Sequence, residues 1–324
     1  MSILTVEGLE VSFGEAKVLR GVNLQLEAGK TLGVVGESGC GKSMTAFSIM
    51  GMVPGTGRIT AGSIQLEGRE LTTLSQKEWR EVRGAQISLV MQDPFTSLNP
   101  MMRVGDQIAE SIVLHLGKSW AEARKMAIQM LDEVGVPSPE TSARKYPHQM
   151  SGGQRQRVVI AIAFATRPKV LIADEPTTAL DVTLQAQILR LIQTLQNEEG
   201  TAVMLVSHDI GVIGAISSQI AVFYAGKVVE QGTAEQVLRT PAHPYTQGLL
   251  NSLPRKGSAE LQTIKGYPPN LSKPIEGCSF MPRCPHAFEK CQTEPAILEV
   301  AKHHCAACWK ASSLAGAAAL PLEQ

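Results

Sequence analysis

Residues suited to binding phosphate stand together in the sequence GESGCGKS, from Gly36 to Ser43. They follow the apolar run TLGVV, which predicts a buried strand, and precede MTAFSIMGM, which is compatible with a helix. Glycine-rich backbone N–H groups and a helix N-terminus can surround phosphate oxygens. Lys42 would contact the β- and γ-phosphates, and Ser43 would bind Mg²⁺. The pattern predicts a P-loop for ATP, formed by Gly36, Glu37, Ser38, Gly39, Cys40, Gly41, Lys42, Ser43 and Met44.

Cys40 lies within this loop, just before a predicted helix N-terminus and next to a lysine. Such surroundings lower the pKa of a thiol and favour the thiolate. We therefore expect a reactive Cys40 that is not required for function, the alternative being a small side chain that only fills space.

Two adjacent carboxylates, Asp174 and Glu175, follow a second apolar run in KVLIADEP. Asp174, at the end of the predicted strand, could bind Mg²⁺ through a water. Glu175, one residue further, could act as a general base on a water in line with the γ-phosphate. A solvated acidic pair is the alternative interpretation, and the P-loop upstream favours the catalytic one.

Length and composition indicate one large globular domain with an appendage, because the chain has 324 residues, 44% hydrophobic and 19% charged. Its 30 basic and 30 acidic residues cancel, so the charge favours neither nucleic acid nor an anionic membrane as a partner. The N-terminus does not have the pattern of a signal peptide, and Arg167, Pro168 and Lys169 interrupt the most apolar stretch. We therefore expect a reducing compartment, where clustered cysteines more often bind metal than form disulfides.

Periodic segments predict the elements that position these residues. SWAEARKMAIQMLDEVG has helical spacing, a capping box of Ser119 and Glu122, and a stop at Gly135. DVTLQAQILRLIQTLQNEEG predicts a helix that ends at Gly200, TAVMLV a buried strand, and IAVFYAGKVVEQG a hairpin with Gly226 in its turn.

The segment QMSGGQRQRVVIAIAFATRP closely resembles the signature motif of ATP-binding cassette (ABC) proteins, and the resemblance extends over almost the whole chain. It implies an α/β P-loop NTPase fold: a RecA-like core, an antiparallel β subdomain, an inserted helical subdomain, and a small Cys-rich C-terminal extension. The motifs VSFG, VMQDP, TTALD and LVSHD carry the remaining implied residues. These are Phe13 on adenine, Gln92 sensing Mg²⁺ and a transmembrane partner, Asp181 at a dimer interface, and His208 on the γ-phosphate.

The signature residues are Ser151, Gly152, Gly153 and Gln154, which open a predicted helix. A glycine-rich helix N-terminus with a serine hydroxyl is a second anion site. Within one chain, however, the P-loop already binds the phosphates of the nucleotide. We therefore expect this second site to face another chain. ATP would then lie between Lys42 of one subunit and Ser151 of the other, and would hold the dimer together.

The sequences QDPFTSLNP and TPAHPYTQGLLNSLP look like the peptide and nickel import branch of this family. The resemblance implies an ATPase subunit, peripheral on the cytoplasmic face of the inner membrane, in an importer of di- or oligopeptides. Its partners would be a second ATPase subunit, two permeases and an extracytoplasmic solute-binding protein, with no nucleic acid. The alternatives are an importer of nickel or another small solute, a soluble non-transport ABC ATPase, and the detached cassette of an exporter.

We predict an ATPase domain over residues 1–253, with its helical subdomain at about 93–165, a linker over 254–276 and a Cys-rich extension and tail over 277–324. The extension is too short to bury a core of its own and would need a stabilising cross-link or metal. Its cysteine spacings are C-x5-C, C-x6-C and C-x16-C. Zinc more usually shows paired C-x2-C knuckles, a spacing that only Cys305 and Cys308 have.

Thiolates on irregular loops suit a [4Fe–4S] cluster at least as well as zinc. The resembled branch has a cluster-bearing tail, which implies that Cys278, Cys284, Cys291 and Cys308 are the ligands, with Cys305 as the alternative. Zinc and free thiols remain open as other interpretations.

Overall fold

The computed structural model describes residues 2–178, 180–253 and 263–315. The chain divides into two compact units. The first comprises Met1–Ile3, Leu26–Lys30 and Thr73–Met204, and the second comprises Leu4–Gln25, Thr31–Thr72 and Leu205–Gln324. Residues 254–262 of the predicted linker and 316–324 of the predicted tail lie outside the described residues.

Twelve strands occur in the described residues, and they are listed here in chain order. They are β1 Ser2–Phe13, β2 Ala16–Glu27, β3 Thr31–Val35, β4 Arg58–Leu66, β5 Arg69–Glu70, β6 Ile87–Val90, β7 Val170–Asp174, β8 Ala202–Ser207, β9 Gln219–Tyr224, β10 Lys227–Thr233, β11 Leu298–Ala301 and β12 His304–Ala306.

The α-helices follow the same order. They are α1 Lys42–Ile49, α2 Gln76–Val82, α3 Pro94–Ser97, α4 Val104–Leu116, α5 Trp120–Glu133, α6 Pro139–Ser142, α7 Gly152–Phe164, α8 Val182–Glu199, α9 Ile210–Ile216, α10 Ala234–Arg239, α11 Pro244–Asn251 and α12 Ala311–Leu314. None of the helices in the described part of the chain is long and apolar enough to cross a membrane.

The first unit combines a parallel strand pair with helices. β6 and β7 run parallel, and every residue of β7 is buried. Helix α5 begins after Ser119, which forms the predicted capping box with Glu122, and it buries its Ala123, Ala127 and Leu131 face. The amphipathic helix predicted for this segment is therefore confirmed.

The second unit contains an antiparallel sheet with the strand order β2-β1-β4-β5. β3 and β9 belong to a different sheet, in which they pair in parallel. β9 and β10 form the predicted antiparallel hairpin, with Gly226 in its turn at a φ of 79°. Glycine adopts this φ at little cost, whereas Ala225 just before it also lies in the left-handed region, at a φ of 50°.

The Cys-rich extension adds β11 and β12 to the sheet that contains β9 and β10. β12 pairs antiparallel with β10, where Glu230 faces Ala306 and Gln231 faces Cys305, and β11 pairs with β12 in turn. Phe280 is 2% exposed, and its ring packs edge-on against Tyr224 at 5.2 Å between centroids. The extension therefore obtains its order from strand pairing and from aromatic residues upstream in the chain as well as from its own residues. The domain boundaries remain predictions.

Candidate ATP-binding site

The P-loop connects β3 to α1, as its sequence context predicts. A Cβ atom on Gly36 would lie 2.3 Å from the Phe223 carbonyl oxygen, so only glycine fits against that strand. Gly41 is the N-cap of α1 with a φ of 110°, which L side chains rarely adopt. The loop backbone therefore needs glycine at both positions, and it leads directly into a helix N-terminus that can hold phosphate.

Lys42 is buried, with only 4% of the residue exposed. Its Nζ donates hydrogen bonds to the carbonyl oxygens of Gly36 at 2.8 Å and of Glu37 at 3.0 Å. The ammonium group is thus held inside the loop by the loop's own backbone. Contact of Lys42 with phosphate remains a prediction.

Glu37 is contacted from outside the loop on two sides. Its N–H donates to the Tyr245 hydroxyl at 2.8 Å, and its carboxylate accepts two hydrogen bonds from Arg283, at 2.6 and 2.9 Å. Sequence reasoning assigned no function to Tyr245 or Arg283. The only signal was an arginine without an assigned role immediately before Cys284.

The expectation of a lowered pKa for Cys40 is wrong. Burial raises the pKa of this thiol, and the nearby positive charge of Lys42 only partly opposes that shift. The Cys40 sulfur lies 3.9 Å from Lys42 Nζ. Desolvation of the thiolate outweighs the attraction of the ammonium group because the side chain is almost fully enclosed.

The acidic pair lies where β7 ends. Asp174 is the buried last residue of the strand, and Glu175 follows it in the left-handed region at a φ of 48°. Glu175 Oε2 accepts hydrogen bonds from Gln92 Nε2 at 3.1 Å and from Thr178 Oγ1 at 2.8 Å. A glutamate in this conformation is strained, and such strain is concentrated at functional sites. The first unit therefore brings Gln92 and Glu175 into direct contact.

The signature residues form the N-terminus of α7. Ser151 is the N-cap, its Oγ accepts from Gln154 N at 3.3 Å, and Gln154 Oε1 accepts from Ser151 N at 3.1 Å. A Cβ atom on Gly153 would lie 2.5 Å from the Leu184 side chain, so glycine lets α7 and α8 approach closely. Asp181 caps α8 by accepting from Leu184 N at 2.9 Å. Ser151 and Asp181 are both exposed.

Phe13 and His208 both belong to the second unit. Phe13 ends β1 half-buried, and a Cβ atom on Gly57 would lie 2.5 Å from its ring. His208 is exposed between β8 and α9. Adenine stacking by Phe13 and phosphate contact by His208 remain predictions.

Four thiols of the extension line one small cavity, together with Phe280, Trp309 and other residues. They are Cys278, Cys284, Cys291 and Cys308. Cys305 is not among the lining residues, because it lies on β12 opposite Gln231. Burial raises the pKa of Cys308 to about 11, and it also raises the pKa values of Cys278 and Cys284. Within the described ranges, no three Cys, His, Asp or Glu side chains are arranged so that they could hold a metal ion.

Comparison with known proteins agrees with the resemblance. A family model described as "ABC transporter" matches residues 19–178, and one described as "Oligopeptide/dipeptide transporter, C-terminal region" matches residues 229–291. The oligopeptide transport ATP-binding protein OppD of Salmonella typhimurium is 48% identical over 95% of this chain and 93% of its own length. The dipeptide transport ATP-binding protein DppD of Bacillus subtilis is 46% identical over 95% of this chain and 94% of its own length.

A solved structure of the ATP-binding cassette MJ0796, a dimer in a post-hydrolysis state bound to ADP and Pi, has a similar fold. Its TM-score is 0.64 at 28% identity, and the match covers 71% of this chain and 98% of that one. The predicted α/β P-loop cassette fold, with its antiparallel sheet and helical subdomain, is therefore confirmed. The chain belongs to the ABC transporter family of ATP-hydrolysing proteins.

Proposed function

We propose that this chain is the ATP-hydrolysing subunit of an importer for di- or oligopeptides. The observation that carries the proposal is the second family match, over residues 229–291, which begins in β10 and ends at Cys291. This region includes β10, with which β12 pairs, and the first part of the extension, residues 277–291. It lies outside residues 19–178, which match the general ABC transporter model. The names of the OppD and DppD relatives support the same substrate class.

The residues at the site fit Mg²⁺ and ATP. The glycine-rich loop and the N-terminus of α1 can hold phosphate oxygens, and Lys42 is positioned within that loop. Mg²⁺ would be held by Ser43 and Gln92, with Asp174 acting through water, and it would neutralise charge on the phosphates. Glu175 would orient a water and take its proton, and the amide of Gln92 already holds that carboxylate. Phe13 would stack on adenine and His208 would contact the γ-phosphate.

A second copy or a related ATPase chain would complete the site through its signature residues. The exposed Ser151 at the N-terminus of α7 supports this arrangement. This helix N-terminus is not part of the P-loop, so its dipole can act on the nucleotide of another chain. Asp181, exposed at the start of α8, would lie at the same interface. ATP would then favour the dimer, and hydrolysis would release it.

Two permeases would bind the helical part of the first unit. Phe95 is 59% exposed and Met101 is 82% exposed, and both lie between β6 and α4. Exposed apolar side chains of this size are typical of interaction sites when they lie close together. The chain would therefore be peripheral on the cytoplasmic face of the inner membrane, in a complex served by an extracytoplasmic solute-binding protein.

The experiment is purification of the tagged full chain from detergent-solubilised membranes, followed by reconstitution of the complex. We expect integral membrane chains to co-purify and peptide uptake to require ATP, with Lys42→Ala as the inactive control. Uptake of nickel without peptide would favour the alternative cargo. Recovery of the chain without membrane partners would instead favour a soluble ABC ATPase.

We propose that the cysteines of the extension bind a second cofactor. Cys278, Cys284, Cys291 and Cys308 are proposed ligands of a [4Fe–4S] cluster, with zinc as the alternative, because all four line one cavity and thiolates bind both. The side chains would have to move closer together to bind either group. Anaerobically purified protein should contain iron and labile sulfide. Detection of zinc without iron would favour a zinc site over the cluster. Absence of both metals would contradict a metal site.

A further inference from the structure

The Arg283 side chain joins the extension to the P-loop. Its guanidinium group forms a bidentate ion pair with the Glu37 carboxylate, through Nη1 at 2.6 Å and Nη2 at 2.9 Å. The Arg283 side chain is 4% exposed and that of Glu37 is 28% exposed. Paired hydrogen bonds between a planar guanidinium and a carboxylate fix direction as well as distance. The contact therefore constrains the orientation of Glu37.

The surroundings of Arg283 hold it in place. Nη1 also donates to the Tyr224 hydroxyl at 3.3 Å, and Nε donates to the Lys265 carbonyl at 3.0 Å. The adjacent Phe280 ring packs against Tyr224 and Tyr245. Tyr245, in turn, accepts the hydrogen bond from Glu37 N–H. Two side chains in one packed cluster thus hold the same P-loop residue.

Glu37 connects Arg283 and Tyr245 to Lys42 through hydrogen bonds. Its N–H is bound by Tyr245, its carboxylate by Arg283, and its carbonyl oxygen accepts from Lys42 Nζ at 3.0 Å. All three polar groups of this residue are therefore engaged, two of them from outside the P-loop. A substitution of Arg283 would therefore affect Lys42 through a single intervening residue, Glu37.

We propose that Arg283 is a positioning residue for ATP binding: by holding Glu37, it fixes the P-loop peptide that receives Lys42, so the cysteine-rich extension contributes to the nucleotide site. The inference rests on the proposed role of the P-loop. It assigns the extension a role in nucleotide binding that does not depend on which metal, if any, the thiols bind.

The test is a double-mutant cycle in the full chain, with the dissociation constant of Mg·ATP as the readout. We expect Arg283→Met and Glu37→Gln each to weaken binding about tenfold, which corresponds to about 1.4 kcal/mol. The double variant should bind no more weakly than either single variant, because both remove the same contact. The KM for ATP should rise to a similar extent while kcat stays within about twofold, because positioning affects ground-state binding.

A matched control separates this contact from general attachment of the extension. Glu294 also joins the extension to residues far upstream, by ion pairs to Arg20 at 3.3 Å and Lys227 at 2.9 Å, yet it does not contact Glu37. Glu294→Gln should therefore leave ATP binding unchanged. Equal weakening by Glu294→Gln and Arg283→Met would overturn the positioning role, since loosening of the extension would then suffice.

Thermal unfolding measured without nucleotide shows whether each variant is folded. Should Arg283→Met fail to fold, Arg283→Lys serves instead, since it keeps the charge and loses the bidentate geometry. We expect it to weaken ATP binding about threefold. Wild-type affinity in a folded Arg283 variant, or additive effects in the cycle, would overturn the inference. Wild-type affinity in Lys42→Ala would instead overturn the P-loop assignment itself.

Discussion

The Gln92 amide donates a hydrogen bond of 3.1 Å to the Glu175 carboxylate, joining two residues that stand 83 positions apart in the chain. Glu175 also accepts from Thr178 and has a left-handed backbone. Its carboxylate is therefore held in place before any substrate binds. This relationship connects the residue we propose as general base with the residue we propose to sense Mg²⁺.

Glu175→Gln should preserve ATP binding and abolish most of its hydrolysis. The amide has the same shape and can still accept from Gln92, but it cannot take a proton from water. We expect turnover to fall on the order of 100-fold, about 2.7 kcal/mol in barrier height, and ATP to accumulate in a closed dimer. Phosphate release and size-exclusion chromatography with ATP measure the two effects. Wild-type turnover would contradict the assignment.

Cys40 should react slowly with alkylating agents at neutral pH. Burial raises its pKa, so the thiolate becomes abundant only above the ordinary value of about 9.0, and the labelling rate should rise as the pH increases through that range. Mass spectrometry of the labelled peptide provides the rate, and bound ATP should slow it further. Cys40→Ser should retain ATPase activity. Fast labelling at pH 7 would show that the P-loop lysine, and not burial, controls this thiol.

His243 should make the folded chain less stable below neutral pH. Its imidazole is wholly buried, caps α11 by accepting from Tyr245 N at 3.0 Å, and has its pKa lowered by burial from 6.5 to about 3. Since the unfolded chain binds the proton more readily, the stabilisation is complete above pH 6.5. It is lost as the pH falls towards 3, by about 1.4 kcal/mol per pH unit at most.

The matched variant for this prediction is His243→Asn, which keeps a cap acceptor and does not titrate. Urea unfolding at several pH values between about 5 and 7.5 measures both proteins. We expect the stability advantage of the wild type over the variant to shrink as the pH decreases. Parallel pH profiles would mean that His243 does not carry the effect.

Cys308→Ser and Cys305→Ser should differ in metal content, although they are the same substitution three positions apart. Cys308 lines the cavity shared with the other three thiols, whereas Cys305 lies on β12 in register with Gln231. We expect the first variant to lose iron or zinc and the second to retain it, as measured by elemental analysis of protein purified without oxygen. Loss of metal in Cys305→Ser alone would reverse the ligand assignment.

The sequence alone was sufficient for features whose hydrogen bonds span a few residues. The capping box at Ser119, the helix start at Ser151 and the helix stop at Gly200 lie where local spacing predicts them, because a cap bonds to a backbone group two or three positions away. The P-loop and the strand that leads into it are local in the same sense.

Only the tertiary structure decided how distant residues act on the site. Glu37 and Arg283 are 246 positions apart, and no local spacing connects them. The same holds for the fully buried Glu230, which accepts from the backbone of Ala242 and His243 and pairs with His304 at 2.8 Å. For Cys40, its neighbours in sequence favour a lowered pKa, whereas its enclosure by packed atoms raises it. Solvation of a charge depends on every atom that excludes water, and those atoms are brought together only by the folded chain.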